Sequence, residues 1–242
     1  MHAVKFVILL YISTLSFSCK KDVEEIKEPA IANATSQLTE GSTALFTPLP
    51  ATKQDFLNAK NVFTDDLDTT AIPKLNGKIT LPLKGTRPAV IFKDSISEED
   101  ETAVIEYHYL GRNNNPALYQ VEGSFWEWNE CYLVNQYTGR KDTLWTIPVF
   151  SPDKSRIVNL SEGYGMEGNP NGYQLWQISG TKDSTTIRKT KEVNQDEWIP
   201  AGIYWENNHT LIFKAVTVTK FMARNGEPKE ADFYYFRVKV SK

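Results

Sequence analysis

The chain has 242 residues, 40% of them hydrophobic and 12% aromatic, and its formal net charge at pH 7 is −3. This length is sufficient for one sizeable hydrophobic core or for two small ones. A weakly acidic chain without a block of basic residues lacks the electrostatic footprint of a nucleic-acid binder, so we exclude nucleic acid as a partner. The two cysteines cannot form a disulfide framework, so the stability of the fold must come from its core.

Residues 1–18 have the pattern of a secretory signal peptide. The basic Lys5 is followed by an apolar run over residues 6–12, and the small Ser18 ends the segment. The apolar run is shorter than the roughly 20 residues that a membrane-spanning helix needs. We therefore predict that the chain is exported and that residues 1–18 are removed.

Cys19 directly follows this segment, and Leu15-Ser16-Phe17-Ser18-Cys19 resembles the lipobox of bacterial lipoproteins. In that family the cysteine is linked to a diacylglycerol, and the signal is cut in front of it. The resemblance implies that Cys19 is lipidated and begins the mature chain. The two acyl chains would hold it firmly in the membrane. The alternative is an ordinary secretory signal with an incidental cysteine.

A basic pair and an acidic cluster come next, in the order Lys20-Lys21-Asp22-Val23-Glu24-Glu25. This order resembles the export tag that sends some lipoproteins to the outer face of the outer membrane. The resemblance implies a lipid-anchored protein of the cell envelope, located in the outer membrane and exposed at the cell surface. The alternative is the start of a solvated linker.

Residues 19–54 are polar, contain several prolines and show weak periodicity. Such a segment cannot bury enough apolar surface to offset the entropy cost of ordering it. We predict a disordered tether over 19–54 and a globular domain over 55–242. Across the boundary of these two segments, the sequence predicts one short helix over residues 53–63. Phe56, Leu57 and either Val62 or Phe63 would be directed inward.

From about Lys78 onward the chain consists of short runs of alternating, β-branched and aromatic residues. Residues 102–110 form one such run, which the turn-forming residues 111–116 end, and residues 173–178 alternate regularly. No long helical period separates these runs. The sequence therefore predicts an all-β domain of antiparallel sheets.

Two stretches of the second half resemble each other. Ile147-Pro148 and Ile199-Pro200 each open a short apolar strand, which is followed by a polar turn, a second strand, a loop and an aromatic third strand. Repeats of this kind, at roughly 40–50 residues, are typical of β-propeller blades.

The segment Phe150-Ser151-Pro152-Asp153-Lys154-Ser155-Arg156-Ile157 resembles the F-S-P-D-G-K-R-I hairpin of propeller blades of the TolB and WD40 type, with Lys154 at the usual glycine position. Residues 135–139 resemble the turn that closes the preceding blade. The resemblance implies blade-like sheets. Because a closed propeller has four to eight blades, we expect a partial, open stack of such sheets. The alternative is that these are ordinary hairpins of a β-sandwich.

Two features are candidates for a ligand site. Trp126 and Trp128 are two residues apart and would share one face of a strand, where their rings form a platform for a glycan. The alternative for this pair is burial in the core.

The glycine-rich loop 162–172 lacks the Gly-Lys-Ser/Thr of a phosphate-binding loop. Since loops on rigid scaffolds carry function, its Tyr164, Asn169 and Asn171 are candidate ligand-binding residues, and a long strand connection is the alternative.

No catalytic residue, metal site or cofactor is predicted, because the sequence has no nucleophile elbow, zinc motif or dinucleotide fingerprint. We interpret Cys131 as a buried strand residue.

The expected function is a non-catalytic binding or interaction module for a glycan or an envelope partner. The alternative is a polymer-degrading, glycosidase-like hydrolase. Two acidic side chains in a cleft beside exposed Trp rings would favour the second.

Overall fold

The computed structural model describes residues 48–63, 66–97, 100–165 and 168–241. The predicted signal peptide, Cys19 and the predicted tether up to residue 47 lie outside this part of the chain. In the part that is described, no helix is both long enough and apolar enough to cross a membrane.

The described chain begins with strand β1 (Leu49–Ala51) and helix α1 (Lys53–Val62). Thr52 and Asp55 form a capping box at the start of the helix, since each side chain accepts a hydrogen bond from the other residue's backbone N–H. The predicted helix is confirmed. Phe56 is buried and Leu57 half-buried, and of the two alternatives at the end of the helix Phe63 turns inward while Val62 is exposed.

The described residues form four antiparallel sheets that follow one another along the chain, and each is built from sequence neighbours except that β1 joins the fourth. The first sheet contains β2 (Lys74–Leu75), β3 (Lys78–Leu81) and β4 (Val90–Lys93). The second sheet contains β5 (Glu106–Asn114), β6 (Ala117–Ser124), β7 (Asn129–Asn135) and β8 (Lys141–Leu144). The third sheet contains β9 (Val149–Phe150), β10 (Arg156–Glu162), β11 (Asn171–Ser179) and β12 (Thr186–Asn194).

The fourth sheet contains β13 (Trp198–Asn207), β14 (Thr210–Thr217) and β15 (Tyr234–Lys239), together with β1. A short helix, α2 (Val218–Ala223), and the 3-10 turn Glu230–Asp232 lie between β14 and β15, and a second 3-10 turn, Glu101–Ala103, precedes β5. Strand β1 pairs with β15, so the first described strand completes the sheet of the last three. Residues 49–54, which we assigned to the tether, thus belong to the fold, and the folded domain begins before residue 55.

The hydrophobic core is divided among the layers of a stack. One cluster, containing Leu81 and Val121, joins the first and second sheets, and another, containing Leu133 and Ile157, joins the second and third. A further cluster joins the third and fourth sheets, and Phe56 of α1 covers the outer face of the fourth.

The expectation of an all-β fold of antiparallel sheets is confirmed, in its open-stack form. The two inner sheets bury both of their faces, so the layers continue through the molecule instead of ending as the two sheets of a sandwich.

The two similar stretches occupy equivalent places in this stack. Strands β9, β10 and β11 are the first three of the third sheet, and β13, β14 and β15 are the first three of the fourth. In the β9–β10 hairpin the Ser151 N–H donates to the Arg156 carbonyl over 2.9 Å. Lys154, at the usual glycine position, has a φ of +59°, which is the left-handed conformation that favours glycine.

Candidate functional site

A groove with a volume of about 680 Å³ lies between the second and third sheets. The β6–β7 turn and the start of β7 form one wall, and the end of β10 with the β10–β11 loop forms the other. The lining includes Trp128, Glu130, Trp145, Ser161, Glu162 and Asn169. The groove therefore combines aromatic rings with carboxylate, carboxamide and hydroxyl groups.

Trp126 and Trp128 do not lie in a strand, so the prediction that they share one strand face is wrong. They belong to the turn between β6 and β7, which the Phe125 N–H closes by donating to the Trp128 carbonyl over 2.9 Å. The alternative of core burial is wrong as well, since Trp126 is 54% and Trp128 46% exposed. Pairing of the two strands ends at Ser124 and Asn129, and of the residues between them Phe125 is half-buried while residues 126–128 are exposed.

Trp128 is nevertheless held in a defined position. Its ring stacks on Phe125 with the centroids 4.8 Å apart and the planes 6° from parallel. One face of the indole is thereby covered, and the exposed part of the ring contributes to the groove wall. An aromatic ring that is fixed before a ligand arrives loses little conformational entropy on binding.

Trp145, which follows β8, is the second aromatic residue of the groove. Its backbone N–H donates to Gln174 Oε1 over 3.2 Å, and Trp176 Nε1 donates to the same oxygen over 3.3 Å. Gln174 is buried, so this hydrogen bond attaches the groove wall to the core of the third sheet. Nothing in the sequence distinguishes Trp145 from the other tryptophans, because its place in the groove depends on how two sheets stack.

The glycine-rich loop contributes Asn169 to the groove. Asn169 Nδ2 donates to the Glu127 carbonyl over 3.1 Å, so the loop of the third sheet is tied to the β6–β7 turn of the second. The loop is closed at its base by the Gly163 N–H, which donates to the Pro170 carbonyl over 3.0 Å. The structure thus brings together Trp128 and Asn169, two of the residues that the sequence singled out.

Tyr164 and Asn171 lie outside the groove lining. The Tyr164 ring meets Phe221 of α2 edge-on, with a centroid distance of 6.4 Å. Asn171 is buried, and its Nδ2 donates to the carbonyls of Gln195 over 2.7 Å and Trp198 over 2.8 Å. Its carboxamide therefore joins the third sheet to the start of the fourth.

Three glutamates, Glu127, Glu130 and Glu162, also line the groove. Tyr132 Oη donates to Glu130 Oε2 over 2.7 Å. Burial and the nearby Glu130 carboxylate raise the pKa of Tyr132, so the phenol keeps its proton for this hydrogen bond. The surrounding protein also raises the pKa of Glu162 above its usual value, because it hinders hydration of the charged carboxylate. The fold therefore brings three glutamates and the exposed Trp128 into the lining of one cleft, with the Glu130 carboxylate held by Tyr132.

Within the described ranges, no group of three His, Cys, Asp or Glu side chains is arranged to hold a metal ion. Cys131 is a free, buried residue of β7, which confirms its interpretation as a strand residue. Burial raises the pKa of the Cys131 thiol to about 12, so it is protonated and unreactive at neutral pH.

No protein-family model, no curated protein and no solved structure matches this chain. The resemblances to a lipoprotein signal and to propeller blades therefore stay predictions. The function has to be argued from the chemistry of the groove.

Proposed function

We propose that this chain is a lipid-anchored protein of the cell envelope whose β domain binds a glycan in the groove between the second and third sheets. The observation that carries the proposal is the exposed Trp128 ring, fixed by Phe125 and placed beside carboxylate and carboxamide groups.

A sugar ring has the two kinds of surface that this groove can accept. Its C–H face is apolar and stacks on an aromatic ring, and its hydroxyl groups need hydrogen-bond partners around the rim. Trp128 and Trp145 line the groove and are candidates for the first contact, while Ser161 and Asn169, which also line it, are candidates for the second. Small-molecule sites commonly have such a composition, with aromatic walls and a few polar groups that fix orientation.

The anchor at Cys19 supplies the envelope location. As a flexible chain, the segment between Cys19 and the first described residue would span about 30 Å on average. That reach would hold the domain clear of the membrane surface and leave the groove open to polymers outside it. The other ligand that the proposal allows is an envelope protein, which would bind in the groove in place of a glycan.

Replacement of Trp128 by alanine tests the groove as a glycan site. We expect Trp128→Ala to weaken the binding of a responsive oligosaccharide about tenfold, because the stacking contact is lost. Trp126→Ala is the matched control, since Trp126 lies in the same turn and is exposed but does not line the groove. Calorimetric titration with a panel of soluble envelope and plant oligosaccharides measures both. Equal effects of the two variants would contradict the proposal.

A glycosidase-like hydrolase is the second candidate, and the acidic side chains beside Trp128 favour it. Such a reaction needs one carboxylic acid that gives its proton to the leaving glycosidic oxygen and a carboxylate that takes the proton of the attacking water, and Glu162 is the candidate for the first role. The raised pKa of Glu162 suits a proton donor. Release of reducing ends from the same panel by the wild type, and its loss in Glu162→Gln, would select hydrolysis over simple binding.

Replacement of Cys19 by alanine tests the anchor. In a Gram-negative host, we expect the native chain to take up radiolabelled palmitate and to fractionate with membranes, and Cys19→Ala to do neither, because the acyl chains have no attachment point. Protease access to intact cells then separates the outer face from the periplasm. An unlabelled, soluble native chain would show that the localisation is wrong.

A further inference from the structure

The first sheet concentrates positive charge at one end of the stack. Residues 69–93, which contain β2, β3 and β4, include five basic residues and no acidic one, whereas the whole chain has a formal net charge of −3. Charges of one sign within a small sheet repel one another and do not stabilise it. This end of the molecule therefore attracts an anionic partner.

The alternation of side chains directs part of this charge outward. Ile79, Leu81 and Phe92 point toward the second sheet and are buried there. The alternate positions of β3 and β4 are exposed on the outer face, and they are Lys78, Thr80, Ile91 and Lys93. Leu75 of β2 lies opposite Lys78 in the register and is exposed as well, so it extends the same face.

Two lysines oppose each other directly on this face. Lys78 and Lys93 are register partners of β3 and β4, and neither forms an ion pair with another described residue. Like charges at directly opposite positions destabilise a sheet. The Asp94 carboxylate, next along the chain, pairs with Lys74 and accepts a hydrogen bond from the Tyr107 N–H of the second sheet. An anion outside the protein would offset the repulsion between the two lysines.

The two ends of the stack differ in their cover. Phe56 of α1 packs on the outer face of the fourth sheet, whereas Leu75 and Ile91 on the outer face of the first are 67% and 55% exposed. Large apolar side chains combined with lysines on one face are typical of surfaces that bind at a membrane interface. The apolar groups enter the boundary between headgroups and acyl chains, and the long lysine side chains extend to the phosphates.

We propose that the outer face of the first sheet docks on a bilayer surface that carries anionic lipid headgroups. Lys78 and Lys93 contact the phosphates, and Leu75 and Ile91 enter the layer below them. The inference rests on the proposed lipid anchor and adds to it the end of the domain that meets the membrane. Docking at this end leaves the groove accessible, because the groove lies farther along the stack, between the second and third sheets.

The chain outside the described residues is long enough for this arrangement. Residues 20–47 connect Cys19 to Pro48, which directly precedes β1 of the fourth sheet. Fully extended, this connection spans about 90 Å, whereas a spacing of about 10 Å between stacked sheets places the first and fourth about 30 Å apart. The anchor would hold the docking face near the membrane at a high effective concentration, so a weak contact is sufficient.

The test measures cosedimentation of the full chain with vesicles, with Cys19→Ala in every protein so that no acyl chain contributes. One vesicle is pure phosphatidylcholine, and the other is an equal mixture of phosphatidylcholine and phosphatidylglycerol. At low salt we expect the parent chain to bind the anionic vesicle at least about tenfold more tightly. Lys78→Gln/Lys93→Gln should remove most of this preference, since each lysine near an anionic surface contributes about fivefold. Ile91→Ser should weaken binding about fivefold, because an apolar contact is lost.

Lys182→Gln/Arg188→Gln is the matched control, because it removes the same charge from two exposed residues of the third sheet and its β11–β12 turn. It should bind as the parent chain does. Equal binding of the parent to both vesicles, or an equal loss in the control, overturns the proposal. Binding to soluble polygalacturonate without binding to either vesicle overturns it too, in favour of an anionic polymer. None of these results depends on acylation of Cys19, which palmitate labelling decides separately.

Discussion

Gly172→Ala is expected to lower the free energy of unfolding by about 4 kcal/mol. Gly172 has a φ of +146°, in a region that residues with a side chain rarely adopt. A Cβ at this position would lie 2.0 Å from the Val193 carbonyl oxygen, which is backbone of the paired strand β12 and cannot move without breaking the ladder. Chemical denaturation monitored by tryptophan fluorescence measures the loss.

Gly165→Ala provides the control for backbone conformation alone. Gly165 has a φ of +78°, but a Cβ there would meet no atom within 4 Å. We expect this variant to lose about 1 kcal/mol, from left-handed strain without a clash. Similar losses in the two variants would mean that the approach of β11 to β12 is less close than the structure indicates.

Phe213→Ala is expected to cost about 3–5 kcal/mol, because the change leaves a cavity in the core between the third and fourth sheets. Phe213 is fully buried and stacks on Phe236 with the centroids 4.8 Å apart. Tyr173 and Trp198 meet its ring edge-on at 5.1 Å and 5.9 Å. Such a loss is a large fraction of the total free energy of unfolding of a typical domain, which is about 5–15 kcal/mol. Calorimetry and urea denaturation measure the change.

Phe213→Leu retains most of the buried volume, so we expect it to cost about 1.5 kcal/mol or less. A comparison with Phe213→Ala shows whether the loss of stability comes from the missing side-chain volume or from any change at this position. If leucine and alanine destabilise equally, the loss does not depend on the volume removed, and the cavity is not its cause.

Local residue patterns were sufficient to predict many of the strands, although β1, β8 and β12 were not among them. The alternation of residues 173–178 lies within β11, and the run 102–110 overlaps β5. Side-chain alternation in a strand depends on the nearest neighbours along the chain, so the sequence displays it directly. The Thr52–Asp55 capping box is equally local, and it starts α1 where the pattern placed a helix.

The prediction for Trp126 and Trp128 failed because a turn is determined by the pairing of two strands. The residues themselves, aromatic and two apart, fit a strand pattern. Only the register of β6 with β7, which ends at Ser124 and Asn129, shows that the chain reverses between them. The same limit explains the tether boundary, since β1 is a strand only when it pairs with β15 at the other end of the chain.

The sequence by itself determined many of the strand-forming segments and the glycine position held by Lys154, because both depend on neighbouring residues. The signal peptide and the lipidation of Cys19 stay predictions from the same kind of local pattern. Only the tertiary structure decided that Trp128, Trp145, Glu130 and Glu162 line one groove. These residues come from two sheets, and a strand pattern contains no information about which sheet will stack on which. The groove that we propose as a binding site therefore depends on the second and third sheets lying side by side.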